Sequence, residues 1–320
     1  MVATVAANCA IGVDVGGTKV LVAAIDESLG VHHRVTQSSR GLDGTGLLDR
    51  LAEMVREAAD AAPGEVVGAG FGIAGIFDGK AGVIASSPHL PLAGLPFEAM
   101  MAERLEVPVS VDNDGNTAML AEWRHGAAKG AGDALMLTVG TGIGGGMVVG
   151  GRLERGSSRG GAEFGHMVIE FDGPLCECGG HGHFEWYASG NAIGRAGQEL
   201  AAREPGCPLA LGAADRPLTG ALVTEMAHDG DGGCIDAIAQ VGGRLGQGMV
   251  SLVNAFNPEL IVVGGGAIAA GELLLGPARA VVESEALPSL GTNVSIVPAH
   301  FGADAGMVGA ATLAFEAAGA

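Results

Sequence analysis

IGVDVGGTKVLVAAI at 11–25 and LMLTVGTGIGGGMVV at 135–149 carry one pattern twice. In each, an apolar, β-branched run leads into a glycine-rich turn and out into a second apolar run, which reads as strand, turn, strand. Two copies in one chain point to a duplicated core with two lobes facing a cleft. Within these stretches the strands are 11–15, 20–25, 135–139 and 147–149, and GTGIGGG (140–146) reads as the loop between the last two. Further strand-like runs are VVGAGFGI (66–73), VPVSV (107–111), LIVV (260–263) and VSIV (294–297). Helical spacing joins Leu47, Leu48, Leu51, Met54, Val55 and Ala58, and again Ile238, Val241, Leu245, Met249 and Leu252. Residues 116–123 read as a short helix and 305–318 as a terminal one. Strands alternating with helices give an α/β fold class.

The chain has 320 residues, a length that suggests two domains, and 48% apolar residues, ample for a packed core. Its 57 glycines are about 18% of the chain against a usual figure near 7%, with no collagen-like period, so they belong in turns and close backbone contacts. With 36 acidic and 17 basic residues the net charge is −19, which argues against sequence-independent binding of nucleic acid or of an anionic membrane. No apolar stretch reaches the ~18 residues of a membrane span. No Lys or Arg precedes Lys19, so no secretory signal is expected. Of the five cysteines, Cys9, Cys207 and Cys234 are isolated, while Cys176 and Cys178 form a pair. That is no disulfide framework; it suits a cytoplasmic chain with a metal-binding or catalytic pair.

Five segments are candidates for chemistry. In Asp14-Val15-Gly16-Gly17-Thr18-Lys19, successive backbone N–H groups and the Thr18 hydroxyl form an anion-holding concavity, and Asp14 is placed to hold Mg²⁺ directly or through water. An ordinary Gly-Gly hairpin turn explains the same residues. Gly140-Thr141-Gly142-Ile143-Gly144-Gly145-Gly146 reads as a second phosphate loop, with Thr138 and Thr141 as hydroxyl donors, or as a plain flexible loop. Asp112-Asn113-Asp114 follows a strand, where open α/β sheets place ligands. Asp114 suits a general base and Asn113 a hydroxyl partner, although Asp and Asn are also the usual helix caps. Glu163-Phe164-Gly165-His166 and the run from Cys176 to Glu185 offer two thiolates and imidazoles for tetrahedral Zn²⁺, with His181 and His183 both available as the fourth ligand. A closed site of that kind is structural, fixing a loop that carries Glu163 and Glu185. Finally, Gly264-Gly265-Gly266 after a strand lets a flat ligand approach, or merely makes a tight turn.

In this order, DVGGTK (14–19), VDNDGNTAMLAEW (111–123), LTVGTGIGGGMVVGG (137–151), EFGH…CECGGHGHFE (163–185) and VVGGGAI (262–268) resemble the ROK family of sugar kinases, most closely its bacterial glucokinases. The resemblance implies an actin/hexokinase-like (ribonuclease H-like) duplicated α/β fold of two lobes that close over sugar and ATP. On it, residues 1–120 form a small lobe completed by the C-terminal helix 303–320, and 121–302 a large lobe with a zinc-binding loop. It implies Asp114 as the base that deprotonates the sugar 6-hydroxyl. Asn113, Glu163, His166 and Glu185 are the implied hydroxyl partners, with the Gly75 backbone against the sugar. The implied ATP site is Asp14, Gly16, Gly17, Thr18, Lys19, Thr138, Gly140, Thr141 and Gly142 for the phosphates, and Gly264, Gly265 and Gly266 for adenosine.

His166, Cys176 and Cys178 match three of the family's zinc ligands. At position 183 the family usually has cysteine and this chain has histidine, a ligand that zinc accepts. Ala74 stands where proline is common and Asp112 where glutamate is frequent. The implied reaction is ATP plus D-glucose to ADP plus glucose 6-phosphate with Mg²⁺, with an N-acetylmannosamine or other N-acetylhexosamine or hexose kinase as the alternative and polyphosphate as another possible donor. Some members of the family are sugar-responsive repressors with an N-terminal winged helix. The thirteen residues before Asp14 are too few for one, so no nucleic-acid partner is expected. A homodimer or homotetramer is expected by analogy.

Overall fold

The computed structural model of the chain describes residues 8–79, 82–212 and 216–319. Residues 1–7, part of the segment read above for a charged leader, lie outside them. Twelve strands are described: β1 (Cys9–Val15), β2 (Lys19–Asp26), β3 (Val31–Ser38), β4 (Val66–Ile73), β5 (Ile76–Asp78), β6 (Val83–Ser86), β7 (Val109–Asn113), β8 (Ala134–Val139), β9 (Ile143–Val149), β10 (Arg152–Glu154), β11 (Leu260–Gly264) and β12 (Ser295–Pro298). Ten of them form two five-stranded sheets, ordered β3-β2-β1-β4-β7 and β10-β9-β8-β11-β12. Counted within each sheet, the order is third, second, first, fourth, fifth both times. The repeat seen in the sequence is thus a repeat of topology. In the first sheet β2 is antiparallel to β1 and β3, while β4 is parallel to β1 and β7. In the second, β9 and β10 are antiparallel, and β11 is parallel to β8 and β12.

By compactness the chain forms two units. One comprises residues 1–130, 146–162 and 303–320; the other comprises 131–145 and 163–302. In the first unit, alternation along β1 sends Ile11, Val13 and Val15 into a core with Leu47, Leu48, Leu51, Phe71, Ile73 and Phe97. The helix Gly44–Asp60 supplies part of that core and begins at Asp43, whose carboxylate accepts the Gly46 N–H at 2.7 Å. The opposite face of β1 and β4 is covered by the helix Ala305–Ala318, which also packs on the helix Asp114–His125. In the second unit the long helix Gly232–Phe256, capped by Asp231, packs along the helix Glu272–Glu285. Gly242 and Gly246 let the two backbones approach closely. Among the described residues no helix is long and apolar enough to cross a membrane.

The expected helix at 305–318 is found at those bounds, and 116–123 extends to Asp114–His125. Two expectations are corrected. The glycine-rich loop at 140–146 is mostly strand: β9 begins at Ile143, and only residues 140–142 form the turn. The strand expected at 107–111 runs instead from Val109 to Asn113, so it carries Asn113 at its very end. β3 carries no strand signal in its sequence because VHHRVTQS is polar. It is the edge of its sheet and largely exposed, where such residues are at home.

The helix Ala305–Ala318 is seated at backbone distance: a Cβ on Gly70 would fall on the Ala310 carbonyl oxygen. Gly70→Ala should therefore destabilise the protein by about 3 kcal/mol or more, the upper end of overpacking costs, in urea denaturation. Gly243→Ala, inside a helix with nothing within 4 Å of its added Cβ, should instead stabilise by about 0.5–1 kcal/mol.

Candidate active site

The expected site residues divide between the two units. In the first unit, β1 and β2 are joined by a turn in which the Gly16 N–H donates to the Lys19 carbonyl at 3.0 Å. The hairpin turn that these glycines allow is therefore present. Asp14, near the end of β1, lies against the start of the helix Ala305–Ala318, where an added Cβ on Gly306 would sit 2.8 Å from its carboxyl carbon. Enclosure by protein, and then the neighbouring charge of Asp114, push Asp14 up to about 7, with Lys19 pulling the other way. Asp114 is likewise raised above the ordinary carboxylate value by burial, against the opposing hydrogen bond from the Gly115 N–H at 3.0 Å. By accessible surface both carboxylates are half-buried, so each is desolvated yet reachable.

The capping reading of the Asp-Asn-Asp run is realised by Asn113. Its carbonyl oxygen accepts the N–H groups of Gly115 (2.7 Å) and Asn116 (3.2 Å), while its amide donates to the Gly75 carbonyl at 3.1 Å. Asn113 and Gly75 are thereby brought together, and Asp114 becomes the first helical residue rather than the cap. Asp112 points the other way. It is almost fully buried, accepts from the Asn113 N–H and the Asn116 amide, and pairs with Arg155 Nε at 2.5 Å. Arg155 was not anticipated. It lies 43 residues along the chain, and no motif ties it to position 112.

In the second unit, Thr138, Gly140, Thr141 and Gly142 occupy the end of β8 and the turn after it. Gly264 pairs with Thr138 in the adjoining strand, which sets residues 264–266 next to that turn at the carboxyl ends of parallel strands. Glu185 reaches the same turn: its Oε2 accepts the Ile143 N–H at 3.3 Å and occupies the space a Cβ on Gly142 would take. His166 lies between two acids, with Nδ1 3.6 Å from Glu185 and Nε2 3.9 Å from Glu163. Glu163, His166 and Glu185 therefore form one polar group.

Beside it, His166, Cys176, Cys178 and His183 bring their ligand atoms within 4.8 Å of one another. His183 Nδ1 is 3.3 Å from both His166 Nδ1 and Cys178 Sγ. These are edges that a tetrahedron with metal–nitrogen bonds near 2.0 Å and metal–sulfur bonds near 2.3 Å requires, roughly 3.3–3.8 Å. His181 points away, toward the Gly173 carbonyl. Of the two histidines left open by the sequence, the cluster contains His183. Burial and then the charge of His166 lower the His183 pKa, which favours the neutral imidazole that a metal needs. All five cysteines are free of disulfides.

The sequence model of the ROK family matches residues 10–317. A glucokinase of Streptomyces coelicolor is 33% identical over 317 residues, 96% of this chain and 97% of that protein. A ROK family glucokinase from Streptomyces griseus, solved in complex with glucose and AMPPNP, matches with a TM-score of 0.86 at 33% identity, over 96% of this chain and 99% of that one. A xylose repressor of Bacillus spizizenii is 27% identical over 97% of this chain and 78% of its own length.

Asp112 depends on its guanidinium partner. Arg155→Ala leaves a buried carboxylate without its counter-charge and should cost about 3–5 kcal/mol in urea denaturation. Asp112→Asn in the Arg155→Ala background should recover part of that loss, because the second change removes the stranded charge.

Proposed function

Because the chain belongs to the ROK family, we propose that it is an ATP-dependent glucokinase, transferring the γ-phosphoryl group of ATP to the 6-hydroxyl of D-glucose. The observation that carries this reading is the desolvated Asp114 carboxylate. It stands where β7 becomes a helix, beside Asp14 and the DVGGTK turn, and burial makes it a stronger base than an ordinary carboxylate. Asp114 accepts the hydroxyl proton while the sugar oxygen bonds to phosphorus. The bond from phosphorus to the β,γ-bridging oxygen then breaks, and ADP leaves. Asn113, the Gly75 backbone, Glu163, His166 and Glu185 hydrogen-bond the sugar hydroxyls. Gly16, Gly17, Thr18 and Lys19, with Thr138, Gly140, Thr141 and Gly142, hold the phosphates, and Gly264, Gly265 and Gly266 face the adenosine. Mg²⁺ supplies charge neutralisation of the phosphates when bound. Asp14 would hold it, directly or through water.

A site that hydrogen-bonds particular hydroxyls rejects sugars that lack them, so a panel of hexoses and N-acetylhexosamines with ATP, and with polyphosphate, tests the substrate directly. Glucose should give the highest kcat/KM. A preference for N-acetylmannosamine would move the assignment to the runner-up. Sequence-specific DNA retention without kinase turnover would move it to a regulator.

Asp114→Asn should lower kcat at least about 10²-fold with glucose binding largely kept. Near wild-type turnover in that variant would remove Asp114 as the base. The base must be ionised to act and its pKa is raised, so kcat/KM should fall as the pH drops, through a midpoint above the ordinary carboxylate value of 3.8. An acid limb at or below that value would contradict the desolvation argument.

We assign the His166, Cys176, Cys178 and His183 cluster to one structural Zn²⁺. Elemental analysis should find about one zinc per chain, and Cys178→Ser should lose it and lower the Tm. Metal-free protein with unchanged Tm and activity would overturn the assignment.

A further inference from the structure

We propose that His89 binds the terminal phosphoryl group of the nucleotide at the Gly16–Gly17 turn, an inference that rests on the kinase reading and adds a residue to it. The segment that carries His89 is a turn closed by the Leu90 N–H to the Ser87 carbonyl at 3.3 Å, with Pro88 at its second position. Both ends are anchored. The Ser87 hydroxyl donates to the Ala74 carbonyl at 2.7 Å, and the Ala74 N–H donates to the Val15 carbonyl at 3.1 Å. Leu90 and Leu92 are buried in the core of the first unit. A proline-stiffened turn held in this way fixes the course of its backbone, and with it the position of the His89 Cβ.

His89 itself is exposed and lies directly over the DVGGTK turn. A Cβ on Gly17 would come within 2.5 Å of His89 Cβ, 3.2 Å of Cγ and 3.7 Å of Cδ2. Glycine at 17 is therefore what lets the imidazole rest on the turn. The same segment also touches the Gly75 turn, but through other residues: a Cβ there would meet the Ser86 carbonyl oxygen at 2.9 Å and Ser87 Cβ at 3.2 Å. Serines 86 and 87 thus serve the sugar side and His89 the phosphate side. An imidazole N–H is a good donor to a phosphate oxygen, and the phosphate charge strengthens the bond.

The test is calorimetric titration of the full chain and of its His89→Ala and His89→Gln variants with AMPPNP, ADP and glucose. His89→Ala should weaken AMPPNP about tenfold, the weight of a charge-assisted hydrogen bond, and change ADP less than about twofold. Glucose affinity should not change, and His89→Gln, which keeps an N–H donor, should recover most of the loss. Three results overturn the proposal: unchanged AMPPNP affinity, equal weakening of AMPPNP and ADP, or weakening of glucose instead. If the wild-type chain phosphorylates no sugar while the AMPPNP pattern holds, the kinase reading falls and the His89 contact stands. If turnover is normal and the pattern is absent, the reverse follows.

Discussion

The first unit depends on backbone lying against backbone. The helix Ala305–Ala318 meets the sheet at Gly12 and Gly70, where the Met307 and Ala310 carbonyls occupy the space of side chains, and it meets the Asp114–His125 helix where Gly309 abuts the Thr117 carbonyl. Interfaces this close need no large side chains, which is why a chain with only 4% aromatic residues can still bury its core. The closeness also has a chemical consequence. Strand ends and helix starts that approach so tightly bring the carboxylates they carry into a shared, poorly solvated space. Asp14 and Asp114 feel each other because the helices around them cannot stand further apart.

Charge in this unit is handled in two opposite ways. Asp112 is sunk almost completely and satisfied by Arg155, the Asn116 amide and a backbone N–H, so it is inert and holds the strand end in place. Asp114, two residues later, has its main hydrogen-bond support from one neighbouring backbone N–H and remains raised by burial. Two acids on one short run thus meet different environments according to which way the chain points them. Burial holds the Asp114 carboxyl above the ordinary carboxylate value, which suits it to take up a proton.

Much of this was legible in the sequence, and the failures have physical causes. The doubled strand–turn–strand pattern carried the fold because apolar β-branched runs with glycine punctuation leave few alternatives. β9 was misjudged because Gly144, Gly145 and Gly146 look like loop, whereas Gly144 sits in the strand to clear the Thr138 hydroxyl and Gly146 to clear Met119. The Cys176–Cys178 pair announced its cluster through local spacing, but only the fold decides between His181 and His183, since one bridge turns His181 toward Gly173. Arg155 and His89 carry no signal in the sequence for a common reason: each lies against a residue far along the chain, and neither is in a repeated or motif-like setting.

Glu185 joins two parts of the second unit through its two oxygens. Oε2 faces the glycine turn at Gly142 and Ile143, while Oε1 accepts the Cys176 thiol at 3.0 Å. The thiol is pushed up to about 12, first by burial and then by that same hydrogen bond, so it stays protonated in the protein alone. A thiolate that ligates a metal has no proton to donate. Zinc ligation by Cys176 and donation from Cys176 to Glu185 therefore exclude each other. With the thiol committed to a metal, Oε1 is left with acceptor capacity directed toward the same polar group as Glu163 and His166, where a hydroxyl donor would satisfy it. His166 completes the division: its Nδ1 faces the cluster and its Nε2 faces Glu163. A metal held by this cluster would therefore do more than pin a loop, since it would leave Glu185 Oε1 free to accept from another donor.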